Sequence, residues 1–498
     1  MKNKKFYITT TLAYVNAQPH IGFASEIVQA DALARFHRLV GDEVFFNTGT
    51  DEHGLKIYTK AKELGVDMKK YCDEQAETFK SLKGLLNISY DNFIRTSDEN
   101  HMKAAQEFWK RCEANGDIYK KMYKTKYCVG CELEKTDSEL IYDKCPLHPN
   151  LEIECYEEEN YFFKFSNYQQ KLLNFYKKNP DFVLPKKRFN EIKSFVEMGL
   201  QDFSISRLKS KMPWGVEVPG DSEHVMYVWF DALVNYVSAL GWPCHCERVN
   251  KFGAIESSDL CLCNKDKCNY KKFWPGFQIA GKDNLRQQSA MWQAMLMSAE
   301  IENSKQIFIN GFITVDGQKM SKSLGNVISP KEMVEKFGID GTRYLLLTMG
   351  GNFGEDFDVS WEKMTEKYNA DLANGLGNLV SRVIKLAQNF QTASPVGGFP
   401  LSNEQISKFI DKLELSQAIN EIWKNISNAN KYIEDEKPWE LAKLPVSARE
   451  KFEAVMYKLI VDLDNIADAL IPFLPDTSEK IKKALEAKKT EPLFQRIK

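Results

Sequence analysis

At 498 residues the chain exceeds one ordinary domain, and 43% hydrophobic with 27% charged residues is the make-up of a soluble protein with several buried cores, which excludes a disordered or fibrous chain. A formal net charge of −2 excludes a global attraction to polyanions, so a nucleic-acid partner would have to be held by local basic surface. The apolar run after Lys4-Lys5 is too short for a signal peptide, no later stretch could span a bilayer, and eleven cysteines on a long chain argue against a secreted disulfide framework, so the expected address is cytoplasmic with no membrane partner.

The first sixty residues read as β-α-β. Phe6 to Thr10 is aromatic and β-branched, suited to a buried strand. After a polar loop, Ile27, Ala30, Leu33, Phe36 and Val40 recur at helical spacing, with Gly41 as the stop. Val44-Phe45-Phe46 reads as a second short strand, followed by the polar loop Thr48-Gly49-Thr50-Asp51-Glu52-His53-Gly54. In an open parallel sheet ligands sit beyond the carboxyl ends of the strands, so the two polar loops should line one site. Residues near 120–220 break the alternation with paired cysteines and dense aromatics and read as an inserted module. Strand and helix patterns resume from Met226 to about Met333, and from Asp371 onward amphipathic helical patterns predict a bundle.

Three patterns carry chemistry. In Pro19-His20-Ile21-Gly22, at the predicted helix start, Gly22 allows close backbone approach to a phosphate and His20 could donate to it, although His20 alone also reads as a helix cap. Lys319-Met320-Ser321-Lys322-Ser323, flanked by Gly317 and Gly325, places two ammonium groups where they could neutralise a leaving pyrophosphate. Cys128-x-x-Cys131 and Cys145-x-x-His148, thirteen residues apart, suit one tetrahedral zinc; four protein ligands leave no room for water, so the metal is expected to be structural. Cys244, Cys246, Cys261, Cys263 and Cys268 form a second group whose spacing fits no standard metal template.

His-Ile-Gly followed far downstream by Lys-Met-Ser-Lys-Ser resembles the signature pair of the class I aminoacyl-tRNA synthetases, and further segments resemble the methionyl members: Thr11-Leu12-Ala13-Tyr14-Val15-Asn16, Asp51-Glu52-His53-Gly54, Tyr227-Val228-Trp229-Phe230-Asp231-Ala232 and Gly281-Lys282-Asp283. The resemblance runs from about Phe6 to about Pro475. It implies an ATP-dependent, AMP-forming ligase that makes methionyl-adenylate and passes the methionyl group to the terminal adenosine of tRNA, serving initiator and elongator forms. The implied fold is α/β: a Rossmann-like parallel-sheet catalytic domain with an inserted zinc-knuckle module and a C-terminal all-α helical bundle. Carried onto this sequence, the catalytic halves would be 1–118 and 222–330, the latter with a Cys-rich insertion at 243–272. The inserted module would be 119–221 with its knuckle at 125–150, a linker or stem-contact segment would be 331–370, and the anticodon-binding bundle would be 371–498.

The same resemblance implies residue roles. His20, Lys319 and Lys322 would be catalytic, and Gly22, Gly281, Lys282, Asp283, Ser321 and Ser323 would join them around Mg-ATP, with Asp283 on the ribose. Asp51 would pair with the methionine α-ammonium, while Leu12, Tyr14, Trp229, Ala232, Leu233, Tyr236 and Gln288 would surround the thioether. Asn378, Arg382 and Trp439 would read the CAU anticodon. Two positions depart from the family: Phe23 stands where a second phosphate-binding histidine is usual, and Gln288 where many members carry histidine. The chain has no further C-terminal oligonucleotide-binding pattern, so a monomer is expected. Sister synthetases for leucine, isoleucine or valine carry editing domains for which this chain is too short, and cysteinyl members place a zinc near the amino-acid pocket, whereas this knuckle is remote in sequence; a catalytically silent tRNA-binding protein is favoured only by Phe23, and the intact lysine loop argues against it.

Overall fold

The structure, a computed structural model, describes residues 4–498 apart from 132, 136–138, 245–267, 321–324, 351–353, 389–403 and 446–448. Seven parallel strands make the central sheet in the order Ala13–Tyr14, Glu43–Asp51, Lys5–Thr9, Phe277–Gly281, Gln306–Asn310, Val183–Leu184, with Asn92–Arg95 also paired to Glu43–Asp51. The two-residue period of a strand sorts its apolar side chains to opposite faces. Phe6, Ile8, Ile279 and Phe308 enter one core with the helix Ile21–Leu39 and the C-terminal helices, while Tyr7, Ala280, Ile307 and Ile309 enter another with Glu99–Ala114 and Trp292–Ser298. Helices cover both faces, as a parallel sheet requires.

The first strand and first helix fall where the pattern placed them, the helix ending just before Gly41 at φ +88°. The second strand does not stop at Phe46. It runs to Asp51, so much of the segment read as a loop is sheet. Its polar residues are buried because each finds a partner there: Thr48 hydroxyl with Thr10 at 2.7 Å, and Asn47 accepting from Asn92 at 2.7 Å. Gly49 is required by the close approach of the neighbouring strand, since a Cβ would come within 1.9 Å of the Ile94 carbonyl oxygen.

The stretch 119–221 contains a separate antiparallel sheet of Leu133–Lys135, Ile118–Cys128, Glu154–Phe163 and Phe203–Ser204, but Val183–Leu184 within it pairs with the central sheet. A continuous insertion from 119 to 221 is therefore too simple a description; the chain returns to the sheet midway. The stretch 331–370, expected as a linker or stem-contact segment, is largely helical. It holds the helical stretch Pro330–Thr348, which opens with a reciprocal capping box of Ser329 and Glu332 and breaks at Gly338 (φ 71°, ψ 173°), and the start of a rod that runs through Trp361–Lys367, the π-helical Tyr368–Gly377 and Asn378–Ala387. Leu415–Glu436, Glu450–Leu470 and Pro475–Ala487 complete the helical bundle.

One side chain ties bundle to sheet. Arg343 has no exposure, and all five of its N–H groups have partners: the Phe473, Leu86, Asn87 and Pro472 carbonyls and the Asp31 carboxylate, which lies 2.8 Å away. Asp31 belongs to the first helix, and its other carboxylate oxygen accepts from Ser89. Burial alone would raise the Asp31 pKa, but the guanidiniums of Arg343 and Arg35 outweigh it and hold the group below its ordinary value.

Candidate active site

The carboxyl ends of the two central strands, Lys5–Thr9 and Phe277–Gly281, open onto the same space as the N-terminus of the first helix. His20 is the N-cap of that helix. Its backbone is extended (φ −125°, ψ 171°) and its Nδ1 accepts the Gly22 N–H at 3.0 Å. The capping and catalytic readings of His20 are therefore compatible. A neutral ring that accepts at Nδ1 carries its proton on Nε2, where it can be donated. Crowding by surrounding chain pushes the His20 pKa below its ordinary value, against a smaller upward pull from Asp283. Gly22 is needed first for the ring itself, since a Cβ there would lie 2.7 Å from His20 Cε1.

Asp283, exposed in the short turn Lys282–Asn284, lies close enough to His20 and Glu26 to act on the pKa of both. Glu26, one turn further along the first helix, is buried and receives the Thr11 N–H and hydroxyl, both at 2.6 Å. Burial lifts its pKa to about 8 against the pull of those hydrogen bonds. Pattern reading passed over Glu26; the clue was a carboxylate among Ala24, Ile27 and Val28 on a helix that is buried nearly all round.

Lys319 follows an Asp316-Gly317 hairpin turn, with positive φ at both residues, between Ile313–Val315 and Gln318–Lys319. Its ammonium lies 5.6 Å from the centre of the Phe312 ring and that of Lys282 lies 4.9 Å from the same ring, so the two predicted cations share one aromatic platform. Lys282 also pairs with Asp356 at 2.8 Å, and Gly281 is crowded by Asp283, whose Oδ1 would lie 2.7 Å from a Cβ there. Ser321, Lys322 and Ser323 lie outside the described residues. Downstream of them the Ile328 carbonyl accepts the Ile21 N–H at 3.1 Å, joining the end of the lysine loop to the start of the first helix.

The residues expected around an amino acid gather on the other side of the strand ends. Tyr14 and Asp51 are register partners, and Asp51 is buried beside Thr96, whose hydroxyl is 3.4 Å away. Leu12 is half-buried. Trp229 and Ala232 lie on the short helix Val228–Ala232 and Leu233 follows it. Trp229 is half-buried, and its indole N–H has no partner among the described residues. Tyr236 is buried; its hydroxyl accepts from the Gln288 amide at 2.7 Å, which leaves its own proton available. Gln288 thus makes at this departure the contact that orients Tyr236. Phe23 faces the helix Met68–Leu85, edge-on to Phe79 at 5.4 Å between ring centres, and packs where the family carries a donor.

Beneath Trp229, Asp231 is fully buried and accepts from His53 Nδ1 at 2.6 Å and His101 Nε2 at 3.0 Å, with His101 Nδ1 2.9 Å from the Ser238 hydroxyl. Burial raises the Asp231 pKa, but the two imidazoles outweigh it and bring the group to about 2. His101, from the helix Glu99–Ala114, carried no signal in the sequence because its partners lie more than a hundred residues away.

The four knuckle residues come together: every ligand atom of Cys128, Cys131, Cys145 and His148 lies within 4.8 Å of the others. The donor set fits a thiolate-rich tetrahedral metal. Gly130 is required, because a Cβ would sit 2.4 Å from the His148 ring. Its carbonyl accepts from Lys56 at 2.7 Å, and Lys56 lies 5.7 Å from the Tyr14 ring centre, so the knuckle reaches the rim of the site. In the second cysteine group, Cys244 and Cys268 lie 3.3 Å apart, sulfur to sulfur, while Cys246, Cys261 and Cys263 fall outside the described residues. In the bundle, Asn378 is exposed on the same helix as Arg382, whose guanidinium lies 5.5 Å from the Trp439 ring. Trp439, on the short helix Pro438–Leu441, is 36% exposed.

Comparison with known proteins places these features in one family. Residues 6–155 and 139–384 match the family described as tRNA synthetases class I (M). The chain is 41% identical to the methionine–tRNA ligase of Thermotoga maritima over 96% of this chain and 74% of that one, and 40% identical to the ligase of Brucella suis over 97% and 92%. It is similar to the solved structure of Mycobacterium tuberculosis methionyl-tRNA synthetase in complex with methionyl-adenylate, with a TM-score of 0.85, 37% identity and coverage of 96% of this chain and 93% of that one.

Proposed function

This chain belongs to the methionyl class I tRNA synthetases, and from that premise we propose how its residues divide the work. It is an ATP-dependent ligase that activates methionine and charges tRNA. The observation that supports the assignment of the adenylation site is the meeting of His20, Asp283, Lys282 and Lys319 at the carboxyl ends of adjacent parallel strands.

In this reading the methionine carboxylate attacks the α-phosphate of ATP in line, forming the acyl-phosphate bond while the bond to pyrophosphate breaks. His20 donates from Nε2 to the developing charge, Lys319 and Lys322 stabilise the departing pyrophosphate with Ser321 and Ser323 beside them, and Lys282 supports them. Gly22 and Gly281 lie beside the nucleotide, where they make room for the His20 ring and the Asp283 carboxylate, and Asp283 accepts from the ribose. Mg²⁺ enters with ATP and neutralises phosphate charge. Asp51 receives the α-ammonium, Leu12, Tyr14, Trp229, Ala232 and Leu233 enclose the side chain, and Tyr236, oriented by Gln288, donates to the thioether. A ribose hydroxyl of the terminal adenosine of initiator or elongator tRNA, by class resemblance the 2′-hydroxyl, then takes the methionyl group and AMP leaves. Asn378, Arg382 and Trp439 form the anticodon-reading surface. Cys128, Cys131, Cys145 and His148 would hold a structural zinc, whose closed donor set would fix the knuckle. Among the described residues no helix is long and apolar enough to cross a membrane.

The test is ATP–pyrophosphate exchange across the twenty amino acids, run with the wild type and with His20→Ala. The wild type should exchange with methionine alone. His20→Ala should lower kcat by roughly a hundredfold or more with little change in the methionine KM, the loss typical of one transition-state donor. An undiminished kcat would remove His20 from the catalytic set.

A further inference from the structure

The amino-acid half of the site is built from two stretches that meet only in the fold. Asp51 ends the strand Glu43–Asp51, while Trp229, Leu233 and Tyr236 come from the segment 228–238, in which Leu233 and Val234 keep helical dihedrals between two short helices. Trp229, Leu233 and Tyr236 recur at helical spacing on one face. Asp231, Asn235 and Ser238 recur at the same spacing two residues later, about 200° further round.

That second face carries a buried polar chain. Asp231 has no exposure; one of its oxygens accepts from His53 Nδ1 at 2.6 Å and the other from His101 Nε2 at 3.0 Å. His101 Nδ1 lies 2.9 Å from the Ser238 hydroxyl, and the Asn235 amide donates to the Ala232 carbonyl at 2.7 Å. His53 and His101 are themselves buried. An ionised carboxylate only accepts, so each imidazole must present an N–H to it, from Nδ1 in His53 and from Nε2 in His101. The adenylation chemistry uses none of these side chains, although a buried carboxylate is costly unless it is fully partnered.

Their places in the chain say what they join. His53 lies two residues after Asp51, in a stretch that is pinned throughout. The Glu52 carboxylate accepts from Arg95 at 2.7 and 2.8 Å, its N–H donates to the Thr96 hydroxyl at 2.8 Å, and its carbonyl accepts the Trp214 indole N–H at 2.6 Å. From this stretch a hydrogen-bonded link to the segment 228–238 runs through His53 and Asp231, and His101 adds the helix Glu99–Ala114 as a third support.

We propose that His53 and His101 are positioning residues of the amino-acid site: by holding Asp231 from two sides they fix the span between the Asp51 carboxylate and the wall of Trp229, Leu233 and Tyr236. The inference rests on the reading that Asp51 receives the methionine α-ammonium and that this wall receives the side chain. Its new content is that a buried imidazole–carboxylate–imidazole bridge, which touches no substrate, sets the distance between the two.

The imidazoles donate from different nitrogens, and this allows a crossed test. The side-chain N–H of asparagine can stand where histidine Nδ1 does, and that of glutamine where Nε2 does. His53→Asn and His101→Gln therefore keep the donor in place, while His53→Gln and His101→Asn keep a similar volume and misplace it. In methionine-dependent ATP–pyrophosphate exchange the first pair should stay within about threefold of the wild-type methionine KM. The second pair should raise it roughly tenfold or more, inside the ~100-fold that a misplacement of about 1 Å can cost. The ATP KM should stay within about twofold in all four, a split that a general loss of folded protein does not produce. Either imidazole suffices, so one variant lost to misfolding leaves the test intact. Asp51→Asn is run beside them as the control for the pocket. If the methionine KM stays at the wild-type value in all four, or rises alike in all four, the positioning proposal falls. A raised KM in Asp51→Asn then leaves the pocket reading standing, and an unchanged one removes that reading as well.

Discussion

Arg343 gives the sharpest stability test, because its partners belong to parts of the chain far apart in sequence. Its guanidinium joins Asp31 of the first helix, the carbonyls of Leu86 and Asn87, and those of Pro472 and Phe473 in the bundle. Arg343→Lys keeps the charge but offers three donors in place of five, and a single ammonium nitrogen cannot span the five acceptors that the guanidinium fork reaches. At least two buried acceptors then lose their partners, at about 1–3 kcal/mol each, so a loss of about 2–6 kcal/mol is expected. Arg343→Met removes the charge as well and leaves Asp31 without its closest buried countercharge, a loss at the upper end of that range or beyond it. Asp31 sets the pH dependence. Its folded pKa is held below the unfolded value, so its contribution is present above an unfolded pKa near ~4 and disappears as pH falls through the lower folded value. Urea unfolding followed by tryptophan fluorescence at pH 7 and pH 4 would measure both effects. A lysine variant with the wild-type midpoint at pH 7 would refute the claim that these five contacts hold the bundle on the sheet.

Other outcomes follow from single groups. Glu26 has its pKa raised to about 8, so its charged form is disfavoured in the fold; its stability contribution is intact below an unfolded pKa near ~4.3 and is lost as pH rises towards 8. Glu26→Gln should therefore gain stability relative to wild type at pH 8 and little at pH 4, and a difference independent of pH would contradict the assignment. Tyr236→Phe should raise the methionine KM roughly tenfold and erase much of the preference for methionine over norleucine, because only the thioether can accept the lost hydrogen bond; unchanged discrimination would place that proton elsewhere. Metal analysis should find one equivalent of zinc that Cys131→Ser or a strong chelator removes, with a fall in the thermal midpoint of roughly ten degrees or more. A metal-free wild type of full stability would overturn the structural role.

What could be read along the chain was local. The first strand and helix, the cysteine–histidine knuckle and the helical tail are each set by spacing within a few residues, and the structure places them as the spacing requires. The misreadings share a different cause. The strand Glu43–Asp51 looked like a loop beyond Phe46 because Asn47, Thr48 and Thr50 are polar, and their burial depends on partners such as Thr10 and Asn92 on other strands. Val183–Leu184 is two residues long, too short for any period, and joins the sheet through Gln306–Asn310. Arg343, His101 and Phe312 had nothing to mark them, since their roles exist only once distant segments meet.

The two signature glycines show how a motif can be legible while its physical reason is not. Gly22 invites the explanation that a phosphate must come near, and Gly130 the explanation that a metal loop must turn. In both places the nearest obstruction to a Cβ is a histidine ring of the same motif, His20 or His148. Each glycine first makes room for the imidazole, and the imidazole then presents nitrogen to its task. At His20 the consequence is chemical: the ring that fits against Gly22 accepts that residue's N–H, so its other nitrogen carries the proton. At His148 the consequence is spatial. The ring packs on Gly130, the Gly130 carbonyl holds Lys56, and Lys56 lies near Tyr14 at the site rim. A cysteine–histidine cluster distant in sequence from the nucleotide residues is thereby tied to the pocket through two side chains. Losing the ion should loosen the amino-acid pocket as well as the knuckle.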